Sequence, residues 1–229
     1  MSKIQLKSEN DLTKAFEKEL FDNSLDTLSD YSEIAIGSFI EDEVLSEIPI
    51  VKSILSFYRI TSSIRDRHNM KKLILFFNQF HSNSIDSKKL NIFKQRLNSD
   101  EKYKNEAIGL TLILIERFID ERKSKVLANL LGAHIESKIS WDDYKKLTFT
   151  LNSLNPMAFS FFIKHNLIRL KGFSKIDFKI SVGEMTEYEP MLVSSGIGAS
   201  HDLKFQLNSS GKKLYDFGFE TLIEEFLVT

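Results

Sequence analysis

The sequence predicts a mainly α protein, with an N-terminal helical bundle over residues 1–140 and a C-terminal winged-helix-like α+β module over residues 141–229. Three observations predict it. Apolar residues recur at helical spacing from Leu12 to Phe162, in stretches set off by Asp, Asn and Ser, the residues that cap helices. Only three prolines and nine glycines interrupt the 229 residues. After His165 the period shortens, and Ile176, Phe178, Ile180 and Val182 alternate with polar residues, as do Leu203, Phe205 and Leu207. That alternation is the strand pattern.

The elements follow in order. Leu12, Ala15, Phe16 and Leu20 mark a first helix, for which Asn10 or Asp11 supplies the cap. Asn23-Ser24 breaks it, and a second stretch runs from Leu25 through Ile34, Ile36 and Ile40. The acidic Glu41-Asp42-Glu43 opens another segment, since negative charge favours a helix N-terminus. Pro49 suits a first turn. The long helix after it carries Ile50, Ile54, Phe57, Tyr58 and Ile64 on one face. Its polar end is Arg65-Asp66-Arg67-His68-Asn69, and it continues through Leu73, Phe76, Phe77 and Phe80.

Asp86 starts a helix with Leu90, Phe93 and Leu97 on its buried face, and Ser99 starts the next, through Tyr103, Ile108, Leu112, Ile115 and Phe118. Asp120 caps a helix carrying Val126, Leu127, Leu130, Leu131 and Ile135. Ser140 and Asp143 form a capping-box-like start for the stretch to Leu154, and Asn155-Pro156 caps a helix through Phe162. Leu167, Ile168 and Leu170 then read as a short strand and residues 175–182 as a longer one. The stretch holding Gly183, Pro190, Gly196 and Gly198 reads as loop, residues 203–207 as a further strand, and Asn208-Ser209-Ser210-Gly211 as the start of a closing helix with Leu214, Phe217, Leu222 and Phe226.

Composition excludes several chemistries. Without cysteine there are no disulfides, thiol nucleophiles or cysteine-ligated metals, and the chain suits a reducing cytoplasm. The N-terminus shows no secretory signal. The longest apolar stretch, Ala107 to Ile115, would rise about 14 Å as helix, roughly half a bilayer core, so it predicts a core helix. The stretch from Ile48 to Ile64, interrupted by Lys52 and Arg59, could lie on a membrane surface but not cross one.

The 31 basic and 32 acidic residues nearly cancel, yet they are unevenly placed. Residues 1–47 hold four basic and twelve acidic side chains, whereas residues 48–97 hold ten basic and two acidic. The two segments either screen each other or leave a basic face for nucleic acid or acidic lipid.

No catalytic constellation emerges, and no enzyme activity, metal or cofactor is expected. The histidines at 68, 81, 134, 165 and 201 include no pair three or four apart, so no helix presents two metal ligands. His134 reads as a core histidine. Gly196-Ile197-Gly198 lacks the strand-to-helix context of a phosphate cradle, and Ser194-Ser195-Gly196 reads as a hairpin tip. Arg65-Asp66-Arg67-His68 is the densest polar cluster: it could bind phosphate or do acid–base chemistry, or it could form ion pairs between helices. The candidate partner-contacting residues are Arg59, Arg65, Arg67, His68, Lys71 and Lys72. In the winged-helix-like module, Pro156 to Lys164 carries one basic residue, and Glu184, Glu187 and Glu189 would stand on the wing. That module therefore reads as a packing or protein-contact element rather than a DNA reader.

From Asp120 onward the pattern resembles the bacterial abortive-infection alpha (Abi-alpha) family. The residues that carry the resemblance are Val126-Leu127-Ala128-Asn129-Leu130-Leu131, Leu151-Asn152-Ser153-Leu154-Asn155-Pro156-Met157-Ala158, Leu167-Ile168, and Phe205-Gln206-Leu207-Asn208-Ser209-Ser210-Gly211-Lys212-Lys213-Leu214. The resemblance implies a helical protein of phage resistance and supplies no functional residue. The expected function is macromolecule binding in phage defence or its regulation, with another protein as partner. A nucleic-acid-binding regulator using the basic 48–97 segment and a membrane-perturbing effector using residues 48–80 are the alternatives. Oligomeric state is left open.

Overall fold

The computed structural model describes residues 3–21, 64–171, 181–201 and 204–227. The chain is mainly helical, with one two-stranded antiparallel sheet near the C-terminus. It divides into two compact units, Met1–Ala128 and Asn129–Thr229. Several predicted elements lie outside the described residues: the stretch from Leu25 to Ile40, the Glu41–Glu43 helix start, the Pro49 helix as far as residue 63, and the strand over residues 175–180.

The first unit contains α1 (Lys3–Phe21), α2 (Ile64–Ser82), α3 (Ser87–Ser99), α4 (Glu101–Arg117) and the start of α5 (Arg122–Ile135). Helix α1 begins before Asn10 and Asp11, which sit inside it rather than capping it. Its buried Ala15, Phe16 and Leu20 fall at the predicted helical spacing. The Phe16 ring packs 5.4 Å from Phe76 and 4.8 Å from Phe77 of α2. Helix α2 buries an unbroken run from Leu73 to Phe77 together with Phe80, so its core face is wider than a simple amphipathic stripe. Each fully buried Phe contributes about 1.5–3 kcal/mol over its exposed state.

Asp86 caps α3 by accepting from the Lys88 and Lys89 amides. The start of α4 falls one residue later than predicted. Ser99 ends α3, and Asp100 both closes α3 and caps α4 by accepting from the Tyr103 amide.

The second unit continues α5 and adds α6 (Trp141–Ser153), a 3₁₀ turn at Pro156–Ala158, α7 (Phe159–Lys171), α8 (Val182–Ser194), β1 (Gly198–His201), β2 (Lys204–Leu207) and α9 (Ser209–Leu214). A π-helical turn over Tyr215–Phe219 and a 3₁₀ turn lead from α9 into α10 (Ile223–Leu227). Ser140 and Asn155 cap as predicted, accepting from the Asp143 and Met157 amides. The core is aromatic: Phe159, Phe162, Phe219 and Phe226 meet at ring separations of 5.0 to 5.5 Å.

Two strand expectations are corrected here. Leu167, Ile168 and Leu170 belong to α7, which runs on to Lys171. Phe159, Phe162, Ile163, Asn166 and Leu167 line its buried side, and Asn166 donates back to the Phe162 carbonyl at 2.9 Å. Three apolar residues are too few to separate a period of 2 from 3.6.

Residues 182–194 are helix, not loop, so Glu184, Glu187 and Glu189 stand on α8 and not on a wing. Ser181 and Glu184 form a reciprocal capping box there. The Ser-x-x-Glu signature outweighed Gly183 and Pro190. Lys164 of α7 pairs with Glu184 at 2.8 Å and, with the cap, holds that carboxyl down to about 2.

The predicted final strand and closing helix are present as β2 and α9. In β1 and β2, Gly198 pairs with Leu207 and His201 with Lys204. Asn208 joins the hairpin to α9: its side chain accepts from the Gly211 amide and donates to the Gly196 carbonyl, while its amide donates to the Ile197 carbonyl. Gly211 is required by this approach, since a Cβ there would lie 2.2 Å from the Ile197 carbonyl oxygen.

Two alanine substitutions should therefore have opposite effects. Gly211→Ala should destabilise the second unit by about 2–3 kcal/mol through overpacking. Gly109→Ala, inside α4 where a Cβ meets nothing within 4 Å, should stabilise by about 0.5–1 kcal/mol. Melting midpoints of both variants check the sign.

Candidate functional site

Four of the six predicted contact residues can be placed by their side chains, and all four turn toward the C-terminus of α4 and the residues after it. Arg65, near the start of α2, pairs with Glu116. One turn on, His68 places Nε2 3.1 Å from the Ile119 carbonyl, so that nitrogen donates. Lys71 pairs with Glu121 at 2.6 Å. Lys72 is only 1% exposed and donates to the Glu116 carbonyl at 2.8 Å and the Phe118 carbonyl at 3.0 Å. Arg67 is a backbone position on α2, and Arg59 lies outside the described residues.

The physical logic is that of a helix C-terminus. The last carbonyls of α4 have no intrahelical donor and carry the negative end of its dipole. The Lys72 ammonium satisfies two of the carbonyls there. Burial pushes its pKa down to about 8, with Glu116 opposing the shift and Arg65 reinforcing it. Lys123, at the start of α5, is also buried and lowered to about 8 by desolvation, with Asp120 opposing. Its ammonium lies 5.7 Å from the Phe118 ring centroid.

A second basic feature lies in the same unit, between α1 and α3. A surface groove of about 420 Å³ is lined by Lys14, Glu17, Lys18 and Phe21 of α1 and Lys94 of α3. Glu17 pairs with Lys104. The Lys94 ammonium sits 5.1 Å from the centroid of the half-buried Phe21 ring. Helix α3 carries Lys88, Lys89, Lys94 and Arg96 and no carboxylate. Sequence reasoning passed over this groove because Lys14 and Lys18 belong to a segment whose net charge is strongly negative. The available signal was their i, i+4 spacing on a helix.

In the second unit, His134 has the core setting expected of it. Its ring packs against Trp141 and Tyr144 at 5.3 and 5.9 Å, and Nδ1 lies 3.2 Å from the Ile139 carbonyl. His165 of α7 sits between Phe161 and Phe205, at 6.4 and 5.1 Å. Its Nδ1 is buried without a hydrogen-bond partner. Burial lowers its pKa; a bond to the Phe205 backbone opposes this, and the Arg169 charge adds to it.

Among the described residues, no group of three His, Asp or Glu is placed to hold a metal ion, and no helix is long and apolar enough to cross a membrane. No family model, curated protein or solved structure matches this chain.

Two outcomes follow. Lys72→Met leaves two carbonyls unsatisfied and should cost about 2 kcal/mol. Folded Lys72 releases its proton near pH 8, the unfolded chain only near 10.5. The unfolded state therefore binds more protons between those values, and the stability contributed at this site rises with pH. The gap between wild type and Lys72→Met should widen from pH 8 to 10.5 in denaturant titrations.

His165 has a dependence of the same sign in a lower pH window. The unfolded imidazole protonates near pH 6.5 while the folded one resists, so the second unit should lose stability as pH falls below that value. The midpoint of His165→Phe should fall less between pH 7 and 5 than that of wild type.

Proposed function

We propose that this chain is a non-enzymatic, macromolecule-binding protein acting in the bacterial cytoplasm, in phage defence of the abortive-infection type or its regulation. The observation that carries the binding part is the lysine-lined groove between α1 and α3, where no carboxylate among the described residues pairs with Lys14 or Lys18. A concentration of cationic side chains at a concave surface suits an acidic macromolecular partner. The defence part rests on the Abi-alpha resemblance over residues 120–229. In the same reading, residues 141–229 are a winged-helix-like module in which β1 and β2 form the wing, preceded by the acidic helix α8.

Phage plating on bacteria expressing the full chain, with capture of the tagged protein before and after challenge, tests this. The expected result is fewer plaques than on the empty host and a co-purifying macromolecule. Both effects should weaken in Lys14→Glu/Lys18→Glu. Equal plaque counts with nothing captured would overturn the proposal.

A further inference from the structure

We infer that the α1–α3 groove binds single-stranded nucleic acid, with Lys14, Lys18 and Lys94 on the phosphates and Phe21 as a stacking platform; this rests on the macromolecule-binding reading and names its partner.

The charge arrangement is the first argument. Lys14 and Lys18 lie one turn apart on one face of α1, a like-charge spacing that weakens a helix unless a counter-charge answers it. Glu17 lines the groove, but its carboxylate is held by Lys104. Lys94 lines the same space from α3, whose other charged side chains are Lys88, Lys89 and Arg96. Three ammonium groups from two helices around one slot match a chain of phosphates better than a single anion.

The aromatic ring is the second argument. Phe21 lines the groove and packs against Phe93 at 6.3 Å on one side, so the ring is held in place. Its cover is the Lys94 ammonium. An exposed cation over a ring is a weak contact, and a base can replace it while the lysine swings to the phosphate. Stacking on a fixed aromatic beside a cationic track is how single strands are held without sequence preference. A duplex keeps its bases stacked on one another, a flat lipid surface leaves a concave slot unfilled, and an acidic peptide gains nothing from the ring.

The experiment is fluorescence anisotropy of the full chain with a labelled oligothymidylate about 20 nucleotides long, titrated from low to physiological salt. The expected result is saturable binding whose log affinity falls with log salt at a slope of about −2, as three phosphate contacts on a single strand require. Lys14→Gln/Lys18→Gln/Lys94→Gln should weaken it by about tenfold or more. Phe21→Leu should weaken it severalfold while leaving the salt slope unchanged. Lys138→Gln/Lys146→Gln, exposed lysines of the second unit, should bind as wild type. Circular dichroism melts check folding, and the single variants Lys18→Gln and Lys94→Gln carry the test if the triple variant unfolds.

Absence of oligonucleotide binding at low salt would overturn the inference, as would undiminished binding by the lysine variants. Preferential binding of polyglutamate or of phosphatidylserine vesicles would also overturn it. If plaque reduction and protein capture persist without oligonucleotide binding, this inference alone falls; if all are lost, the macromolecule-binding reading falls with it.

Discussion

A buried ammonium holds the end of α4. Lys72 is buried next to the core run of α2, and its ammonium donates to the carbonyls of Glu116 and Phe118. Burying a lysine is costly unless its donors are satisfied, and carbonyls at a helix C-terminus are costly unless they find donors. Each group removes the other's penalty. The neighbouring contacts of Arg65, His68 and Lys71 lie along the same side of α2, and Lys72 sets their register. Exposed ion pairs add little alone; the buried amine fixes where the chain turns between α4 and α5.

The second unit is organised differently. Its core is built from aromatic rings on α7 and the closing helical segment, but shape is decided at Asn208–Gly211. There one side chain serves the hairpin and the helix together, and a missing Cβ lets α9 approach the Ile197 carbonyl. The π-helical turn that follows shifts the register, so that Tyr215, Gly218 and Phe219 are buried. The Gly218 carbonyl accepts from the Asn129 side chain at 2.8 Å. Asn129 and the Asn208–Gly211 run both serve packing and hydrogen bonding within this unit.

The lysines of the first unit divide by what lies within reach. On α2, Lys72 faces free helix carbonyls and Lys71 faces Glu121, so their charge is spent internally. On α1 and α3 the carboxylate that lines the groove, Glu17, is taken by Lys104. Net charge per segment could not separate these cases, because it counts charges without saying which carbonyls or carboxylates face them.

Local signals in the sequence determined most helices and their starts. Asp86, Ser140, Asn155 and Asn208 each cap where composition placed them, because a cap is a contact across two or three residues. Ala15, Phe16 and Leu20 of α1 and Phe93 and Leu97 of α3 followed from spacing alone, as did Phe205 and Leu207 of β2; on α2 spacing marked Leu73, Phe76, Phe77 and Phe80 but not the buried Lys72, Ile74 and Leu75. The capping box at Ser181 was equally local but was masked by Gly183 and Pro190. Tertiary structure decided the rest. It carried α7 on to Lys171, since burial of Asn166 and Leu167 on its inner side favours continued helix over a three-residue alternation. It buried Lys72 and paired Arg65, and it brought Lys14 and Lys18 to Lys94 across more than seventy residues. Contacts within a turn are written in neighbouring residues; contacts between elements depend on which helices the core packs together, and one sequence window holds no record of that choice.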